Sequence, residues 1–221
     1  MKESDWIAHV KKARRDADNH RSKLTTDIIK LQGMSGSMTR HFYNNLCSHP
    51  YARYLEVGSW RGSTLVSALF SNQHCPAVAI DNWSEFQGET ARDEFHAVCK
   101  KHVPEAWLHV IENDCFKVSL EGRTFNVFLF DGAHDYESQR RAMTHFYRYL
   151  ELPCVVVVDD WNWDAVRRGT YDGLNEVGAN VVYEDHVRLT QDDSHTDNDT
   201  ATKTYWNGMG LFVLGRTRIN L

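Results

Sequence analysis

The spacing of apolar and polar residues changes near residue 53 and predicts two kinds of structure. Up to about residue 48, apolar residues recur at helical intervals within a largely polar segment. From residue 53 onward, short apolar runs that end in small or acidic residues alternate with longer helical stretches. This alternation is typical of βαβ units, which build a parallel sheet. The runs predicted as strands are 54–57, 77–80, 107–111, 126–130 and 154–158.

The segments between and after these strands predict helices at 63–70, 89–102, 136–150 and 164–177, the last with Val166, Tyr171, Leu174 and Val177 facing inward. Two further strands are predicted at 180–184 and 210–214. Their long polar connection carries no helical stripe, so we expect an antiparallel pair joined by a lid or a disordered loop.

The predicted fold is therefore α/β, with a doubly wound, mostly parallel seven-stranded sheet whose last strand is antiparallel. Residues 49–221 form the main domain, and residues 1–48 form a helical N-terminal extension that packs on it. Exposed apolar positions expected on these N-terminal helices favour a homodimer.

Composition restricts the class of protein. The 221 residues carry a formal charge of −5, which argues against an extended nucleic-acid surface. The five cysteines are odd in number and lack CxxC spacing, which indicates reduced thiols. The N-terminus is charged throughout, and no apolar run approaches the roughly 20 residues that span a membrane. We expect a soluble, cytoplasmic protein without a membrane or nucleic-acid partner.

Ligands of open α/β sheets bind beyond the carboxyl ends of the strands, so the residues there carry the chemistry. The first strand ends in YLEVGSWRGST. Gly58 and Gly62 leave room for a ligand to approach the backbone. This spacing differs from that of a dinucleotide site, and the acidic Glu56 favours a cationic or neutral ligand. A tight turn without a ligand is the alternative.

The next two strand ends add candidate ligand contacts. Asp81 follows the second strand, where an acidic residue can accept both hydroxyls of a nucleoside ribose. A turn or helix-capping aspartate is the alternative. Asp114 and Cys115 follow the third strand and could border an adenine ring.

The fourth and fifth strands end in FLFDGAHDYE and VVVVDDW. Adjacent parallel strands lie about 4.8 Å apart, so Asp131, Asp159 and Asp160 should converge at one sheet edge. Three crowded carboxylates favour a hard cation such as Mg²⁺, Mn²⁺ or Ca²⁺. The alternative is protonation of one carboxyl group or pairing with Arg167 or Arg168.

Side chains around these acids complete the predicted site. His134 lies three residues after Asp131, where a neutral imidazole could act as a general base. Trp83, Trp161 and Trp163 are expected to form an aromatic wall, although Trp163 is equally compatible with a core position.

Taken in order, these motifs resemble the class I S-adenosylmethionine-dependent methyltransferases, and more narrowly the metal-dependent O-methyltransferases of the macrolide-sugar and catechol type. The resemblance implies a Rossmann-like methyltransferase fold that binds S-adenosylmethionine and Mg²⁺. The positions it implies for the cofactor are Met34, Glu56, Gly58, Ser59, Trp60, Gly62, Thr64, Asp81, Asp114 and Cys115.

The resemblance also implies individual roles. Glu56 and Asp81 would hold the ribose, Gly58 and Trp60 would pack against the cofactor, and Thr64 would reach its methionyl carboxylate. Met34 would fold over it. The metal ligands would be Asp131, Asp159 and Asp160, and the catalytic base would be His134 or Asp131.

The sequence departs from the catechol enzymes, which have an asparagine where Asp160 stands and a lysine where His134 stands. The acceptor is therefore expected to be a small molecule bearing a sugar or other aliphatic hydroxyl. A non-catalytic nucleoside-binding module and a hydroxylase-like metal enzyme on the same fold remain alternatives. A nicotinamide dehydrogenase and a nucleic-acid methyltransferase are disfavoured.

Overall fold

The computed structural model describes residues 2–216. Its sheet has seven strands in the order β3-β2-β1-β4-β5-β7-β6, and the predicted fold class is confirmed. Strands β1 to β5 pair in parallel, and β7 runs antiparallel to both β5 and β6. The strands are β1 (Tyr54–Val57), β2 (Ala77–Asp81), β3 (Leu108–Glu112), β4 (Phe125–Phe130), β5 (Leu150–Asp159), β6 (Asn180–Val187) and β7 (Met209–Gly215).

Helices cover both faces of this sheet, because successive residues of β5 point to opposite faces and are buried on each. Val155 and Val157 pack into one apolar cluster, whereas Val156 and Val158 pack into the other. The run of four valines therefore forms a strand buried on both faces. The helices are α1 (Glu3–Asp18), α2 (Thr26–Ile29), α3 (Ser37–Cys47), α4 (Ser63–Leu69), α5 (Gly88–His102), α6 (Tyr136–Phe146), α7 (Asp164–Glu176) and α8 (Asn198–Lys203).

The N-terminal helices are built into the core. Trp6 and Val10 of α1 are fully buried, as is Phe42 of α3, and α1 packs against α3 and β7. The exposed apolar positions expected on these helices are not found at those residues, because their apolar stripes cover the sheet. Homodimerisation therefore loses that support and stays a prediction.

Several boundaries and exposures differ from the sequence-based expectation. Strand β3 begins at Leu108, because Trp107 belongs to a single 3₁₀ turn. Tyr171, predicted to face inward, is 41% exposed, and its hydroxyl donates to Glu184. The connection between β6 and β7 contains α8, whose N-cap Asp197 accepts a hydrogen bond from the Thr200 amide at 3.0 Å.

All five cysteines are free thiols. Within residues 2–216, none of the helices has the length and apolar character that crossing a lipid bilayer requires.

Candidate active site

A cleft of about 530 Å³ opens at the carboxyl edge of the parallel strands. It is bordered by the residues that follow β1, β2, β4 and β5, which is where ligands of open α/β sheets bind. Of the predicted site residues, the cleft lining includes Met34, Gly58, Ser59, Trp60, Thr64, Asp81, Asp114, Cys115, Asp131, His134, Asp159 and Asp160.

The turn after β1 brings two strand ends into close contact. Gly58 has φ +86°, and a Cβ atom built on it would lie 1.8 Å from the carbonyl oxygen of Asp131. On either side of this contact, the Gly58 amide donates to Ile80 and the Asp131 amide donates to Val57, each at 2.9 Å. The space that glycine leaves is thus occupied by the backbone that follows β4. Gly62, at φ +79°, precedes α4 and faces the ring of Phe95.

The structure corrects the predicted role of Glu56. Its side chain is fully buried and does not line the cleft. One carboxylate oxygen accepts from the Tyr54 hydroxyl at 2.5 Å and the other from the Thr64 hydroxyl at 3.1 Å. Tyr54 and Glu56 alternate with Leu55 and Val57, so Glu56 faces the layer under α4 and not the sheet edge. It is a structural acid and not a ribose ligand.

The hydroxyl of Thr64 takes part in the same contact with Glu56, at 3.1 Å. The predicted contact of Thr64 with a methionyl carboxylate stays a prediction. Thr64 still lines the cleft at the first turn of α4.

Burial raises the pKa of Glu56 to about 7, against the hydrogen bonds from Tyr54 and Thr64, which lower it. Because the folded state binds this proton more tightly than the unfolded chain, the stability that it contributes is lost as pH rises from about 4.5 to 7. We expect the free energy of unfolding to fall over this range by about 3 kcal/mol more for the wild type than for Glu56→Gln. Urea unfolding at a series of pH values measures this difference, and parallel curves for the two proteins would contradict it.

Asp81 lines the cleft at the end of β2, and its predicted role as a ribose ligand stays a prediction. Its two carboxylate oxygens accept hydrogen bonds from the backbone amides of Trp60 at 2.8 Å and Trp83 at 2.7 Å. Each oxygen keeps further acceptor capacity toward the cleft, which a pair of vicinal hydroxyls can use. The two amides fix the carboxylate orientation before any ligand arrives.

Residues after β3 form the floor beside Asp81. Asp114 accepts from the amide of Phe116 at 3.0 Å, and this contact lowers the pKa of Asp114. Cys115 and Phe116 also line the cleft, and burial raises the pKa of the Cys115 thiol to about 12. A neutral thiol next to an aromatic ring suits the edge of a planar base.

The predicted acidic cluster forms, and His134 joins it. The Nε2 atom of His134 lies 2.7 Å from an oxygen of Asp160 and 3.7 Å from one of Asp131. One ligand atom from each of these three residues lies within 4.8 Å of the others. Asp159 lines the cleft beside them but falls outside this tight trio. Arg167 and Arg168 pair with Asp164 instead, so neither arginine neutralises the cluster.

The protonation of the cluster follows from its crowding. Burial and the charge of Asp160 raise the pKa of Asp131 to about 6, and burial with the charges of Asp131 and Asp160 raises that of Asp159 well above its usual range. Burial alone would lower the pKa of His134, but contacts with Asp131 and Asp160 raise it to about 10. The neutral imidazole expected from sequence is thus an imidazolium when no metal offsets these carboxylates.

The donor set fits a divalent cation. One oxygen of Asp160, a residue only 5% exposed, is buried and has no hydrogen-bond partner among residues 2–216. The carboxylate oxygens of the cluster suit Mg²⁺ or Mn²⁺. Asp131, Asp160 and either Asp159 or His134 are the residues able to hold it.

Comparison with known proteins assigns the fold and the domain. Residues 55–161 match the family model described as a methyltransferase domain. The chain therefore carries a methyltransferase domain over this span, on the Rossmann-like fold of the class I methyltransferases. No curated protein sequence matches it at a significant level.

Many solved structures share the fold of this methyltransferase. Cofactor-bound Rv0187 from MTB is 16% identical with a TM-score of 0.59, covering 96% of this chain and 91% of that one. The O-methyltransferase TomG from Streptomyces achromogenes, involved in tomaymycin synthesis and solved with SAM, is 16% identical with a TM-score of 0.57, covering 96% and 90%. The O-methyltransferase from Bacillus cereus in complex with SAH is 12% identical with a TM-score of 0.53, covering 95% and 90%.

The aromatic wall of this methyltransferase differs from the predicted one. Trp161 and Trp83 are 1% and 7% exposed and belong to the apolar core, whereas Trp163 lines the cleft. Sequence reasoning missed His195 and Trp206, which line the cleft from the connection between β6 and β7. Neither residue follows a parallel strand, so the strand-end pattern gave no signal for them.

Proposed function

We propose that this methyltransferase transfers the methyl group of S-adenosylmethionine to a hydroxyl oxygen of a small molecule, with a divalent cation at the acidic cluster. The observation that carries the proposal is the position of Asp131, His134 and Asp160 in the same cleft as Asp81. A nucleoside held at Asp81 and a cation held at the cluster would share one cavity. The O-methyltransferases among the structural neighbours support the choice of oxygen.

The chain's own residues divide the work between two ends of the cleft. Asp81, pre-oriented by the amides of Trp60 and Trp83, binds the ribose hydroxyls. S-adenosylmethionine supplies an already activated methyl group, so the remaining task of the protein is to position and deprotonate the acceptor. A divalent cation held by Asp131 and Asp160, with Asp159 as the third carboxylate, would stabilise negative charge on the acceptor oxygen.

With a cation offsetting the charges of Asp131 and Asp160, the cause of the raised His134 pKa would be removed, and Nε2 of the neutral ring would be the atom that takes the hydroxyl proton. It lies at the cleft surface, 2.7 Å from Asp160, which orients the ring. Asp131 is the alternative base. The sugar or other aliphatic hydroxyl expected from the sequence remains part of this proposal.

We expect Mg²⁺ or Mn²⁺ to raise the melting temperature of the purified protein and excess chelator to reverse the rise. A ligand that binds only the folded state at 100 times its Kd adds about 2.7 kcal/mol of stability. S-adenosylhomocysteine should raise the melting temperature independently. Full methyl transfer in excess chelator would refute the role of the metal.

We expect His134→Ala to lower kcat by about 10²- to 10⁴-fold, the range typical of a general base, with little change in S-adenosylhomocysteine affinity. Manganese binding, followed by the loss of the free-ion electron paramagnetic resonance signal, distinguishes a base from a ligand. Unchanged manganese affinity supports the base, and a large loss of affinity would make His134 a ligand instead. His186→Ala, an exposed histidine outside the cleft lining, is the matched control.

A further inference from the structure

The segment between β6 and β7, residues 188–208, supplies one wall of the cleft and is here called the β6–β7 loop. His195, Trp206 and Asn207 of this loop line the cavity together with Asp160 and Trp163. They lie on the metal-site side of the cavity, away from the ribose ligand Asp81 at the end of β2. The position of this wall fits contact with the methyl acceptor.

Asn162 holds the β6–β7 loop in place. It is fully buried two residues after Asp160, and its side-chain oxygen accepts from the amides of Leu189 at 2.8 Å and Thr190 at 3.2 Å. Its side-chain nitrogen donates to the hydroxyl of Thr196 at 3.0 Å. One amide side chain thus ties separate parts of the loop to the strand that carries the acidic cluster.

The arginines nearest this wall are used to hold the loop. Arg167 and Arg188 both contact an oxygen of Asp193, at 3.2 Å and 3.8 Å. Arg167 also donates to the backbone carbonyl of Trp161 at 2.9 Å. Both guanidinium groups therefore bind the β6–β7 loop, and neither arginine lines the cleft.

Acidic side chains outnumber basic ones in the lining of the cleft. This lining includes six acidic side chains, Asp81, Glu85, Asp114, Asp131, Asp159 and Asp160, and two histidines, His195 and His134, of which His134 is paired with Asp131 and Asp160; within residues 2–216 it includes no lysine or arginine. A divalent cation would offset part of the cluster but would leave no free positive charge for a phosphate or carboxylate on the acceptor. An anionic acceptor would thus be desolvated and repelled without a partner, whereas an ammonium group would be attracted.

The wall itself offers flat rings. The rings of Trp163 and His195 meet edge to face with centroids 5.0 Å apart, and Trp163 meets His134 in the same way at 5.1 Å. Such rings pack against a planar or apolar face of a ligand without requiring charge.

We infer that the acceptor is an uncharged or amine-bearing hydroxyl compound that packs on Trp163, His195 and Trp206, and that the excess of acidic side chains in the cleft excludes phosphorylated, nucleotide-linked and carboxylate-bearing acceptors. This inference rests on the proposed methyl-transfer function. His195 is the specificity-determining position, since its side chain is exposed and lines the cleft on the acceptor side.

Three probes that share a metal-chelating catechol and differ mainly in charge test the inference: 3,4-dihydroxybenzylamine, 3,4-dihydroxybenzyl alcohol and 3,4-dihydroxybenzoate. Their affinities are measured by calorimetry with S-adenosylhomocysteine and Mg²⁺ present. The amine and the alcohol should bind at least about tenfold more tightly than the benzoate, as expected for one uncompensated charge. Equal affinities, or preference for the benzoate, would overturn the inference. Failure of the metal site would instead appear separately, as loss of manganese binding.

A second test adds a positive charge to the wall of the cleft at His195. His195→Lys should reduce the discrimination against the benzoate about tenfold. His186→Lys, on the exposed side of β6, should leave the discrimination unchanged. If both variants behave as the wild type does, His195 does not contact the acceptor and its assignment is wrong.

A third test examines whether Asn162 positions the β6–β7 loop. Asn162→Ala should raise about tenfold the KM for a probe that the enzyme methylates, with kcat and S-adenosylhomocysteine affinity little changed. Asn162→Asp keeps the acceptor for the Leu189 and Thr190 amides and should recover part of the loss. A fall in kcat at unchanged KM would contradict a role in holding the acceptor wall.

Discussion

Replacing Asp160 by asparagine is expected to reduce kcat/KM for methyl transfer by more than about 10²-fold. This exceeds the loss of activity that is typical when a residue that only hydrogen-bonds to a metal ligand is removed. Asp160 is nearly fully buried, one of its oxygens contacts His134, and the other has no hydrogen-bond partner in the described part of the chain. Asparagine stands at this position in the catechol enzymes, but there a lysine replaces His134; in this chain it keeps the volume and removes the charge with which His134 is paired. Manganese affinity should fall in parallel with activity.

The affinity for S-adenosylhomocysteine is the internal control of this experiment. It should change little, because Asp81 and the backbone amides that orient it lie at the end of a different strand. Asp199→Asn, an exposed carboxylate paired with Lys203 on α8, is the matched control and should behave as the wild type does. Wild-type activity in Asp160→Asn would remove the acidic cluster from the mechanism.

Gly58→Ala is expected to be the most damaging small substitution in the chain. An added Cβ would lie 1.8 Å from the Asp131 carbonyl oxygen, so backbone must move at the point where β1 and β4 diverge. Left-handed strain adds about 1–2 kcal/mol for a non-glycine residue. The total loss in the free energy of unfolding should exceed about 3 kcal/mol, in the range of the largest single-residue effects.

Gly122→Ala separates the clash from the strain. Gly122 has φ +78°, close to that of Gly58, but nothing lies within 4 Å of the position that a Cβ atom would take there. Its variant should lose only the strain of about 1–2 kcal/mol. Urea unfolding of both proteins measures the difference, and equal losses would show that the Asp131 backbone yields without cost.

Strands β1 and β4 were predicted to within one residue from the sequence, because burial along the whole strand dictates an apolar composition directly. Strand β5 instead begins four residues before its predicted start, and β6 ends three residues after its predicted end. The convergence of Asp131 with Asp160 was also predictable, because residues that follow neighbouring parallel strands must meet at one edge. Helix ends were less certain, since a single turn such as that at Trp107 is decided by local hydrogen bonds.

Side-chain direction and long-range packing decided the rest. Glu56 stands in the cofactor motif, yet strand alternation turns it under α4, where Tyr54 and Thr64 complete its hydrogen bonds. His195 and Trp206 line the cleft from a loop that is held by distant residues, among them Asn162 and Arg167. The sequence by itself determined the sheet, its topology and the acidic edge, since these depend on periodicity and on where strands end. Tertiary structure alone decided which of the polar groups face solvent, core or cleft, because that depends on partners far away in the chain.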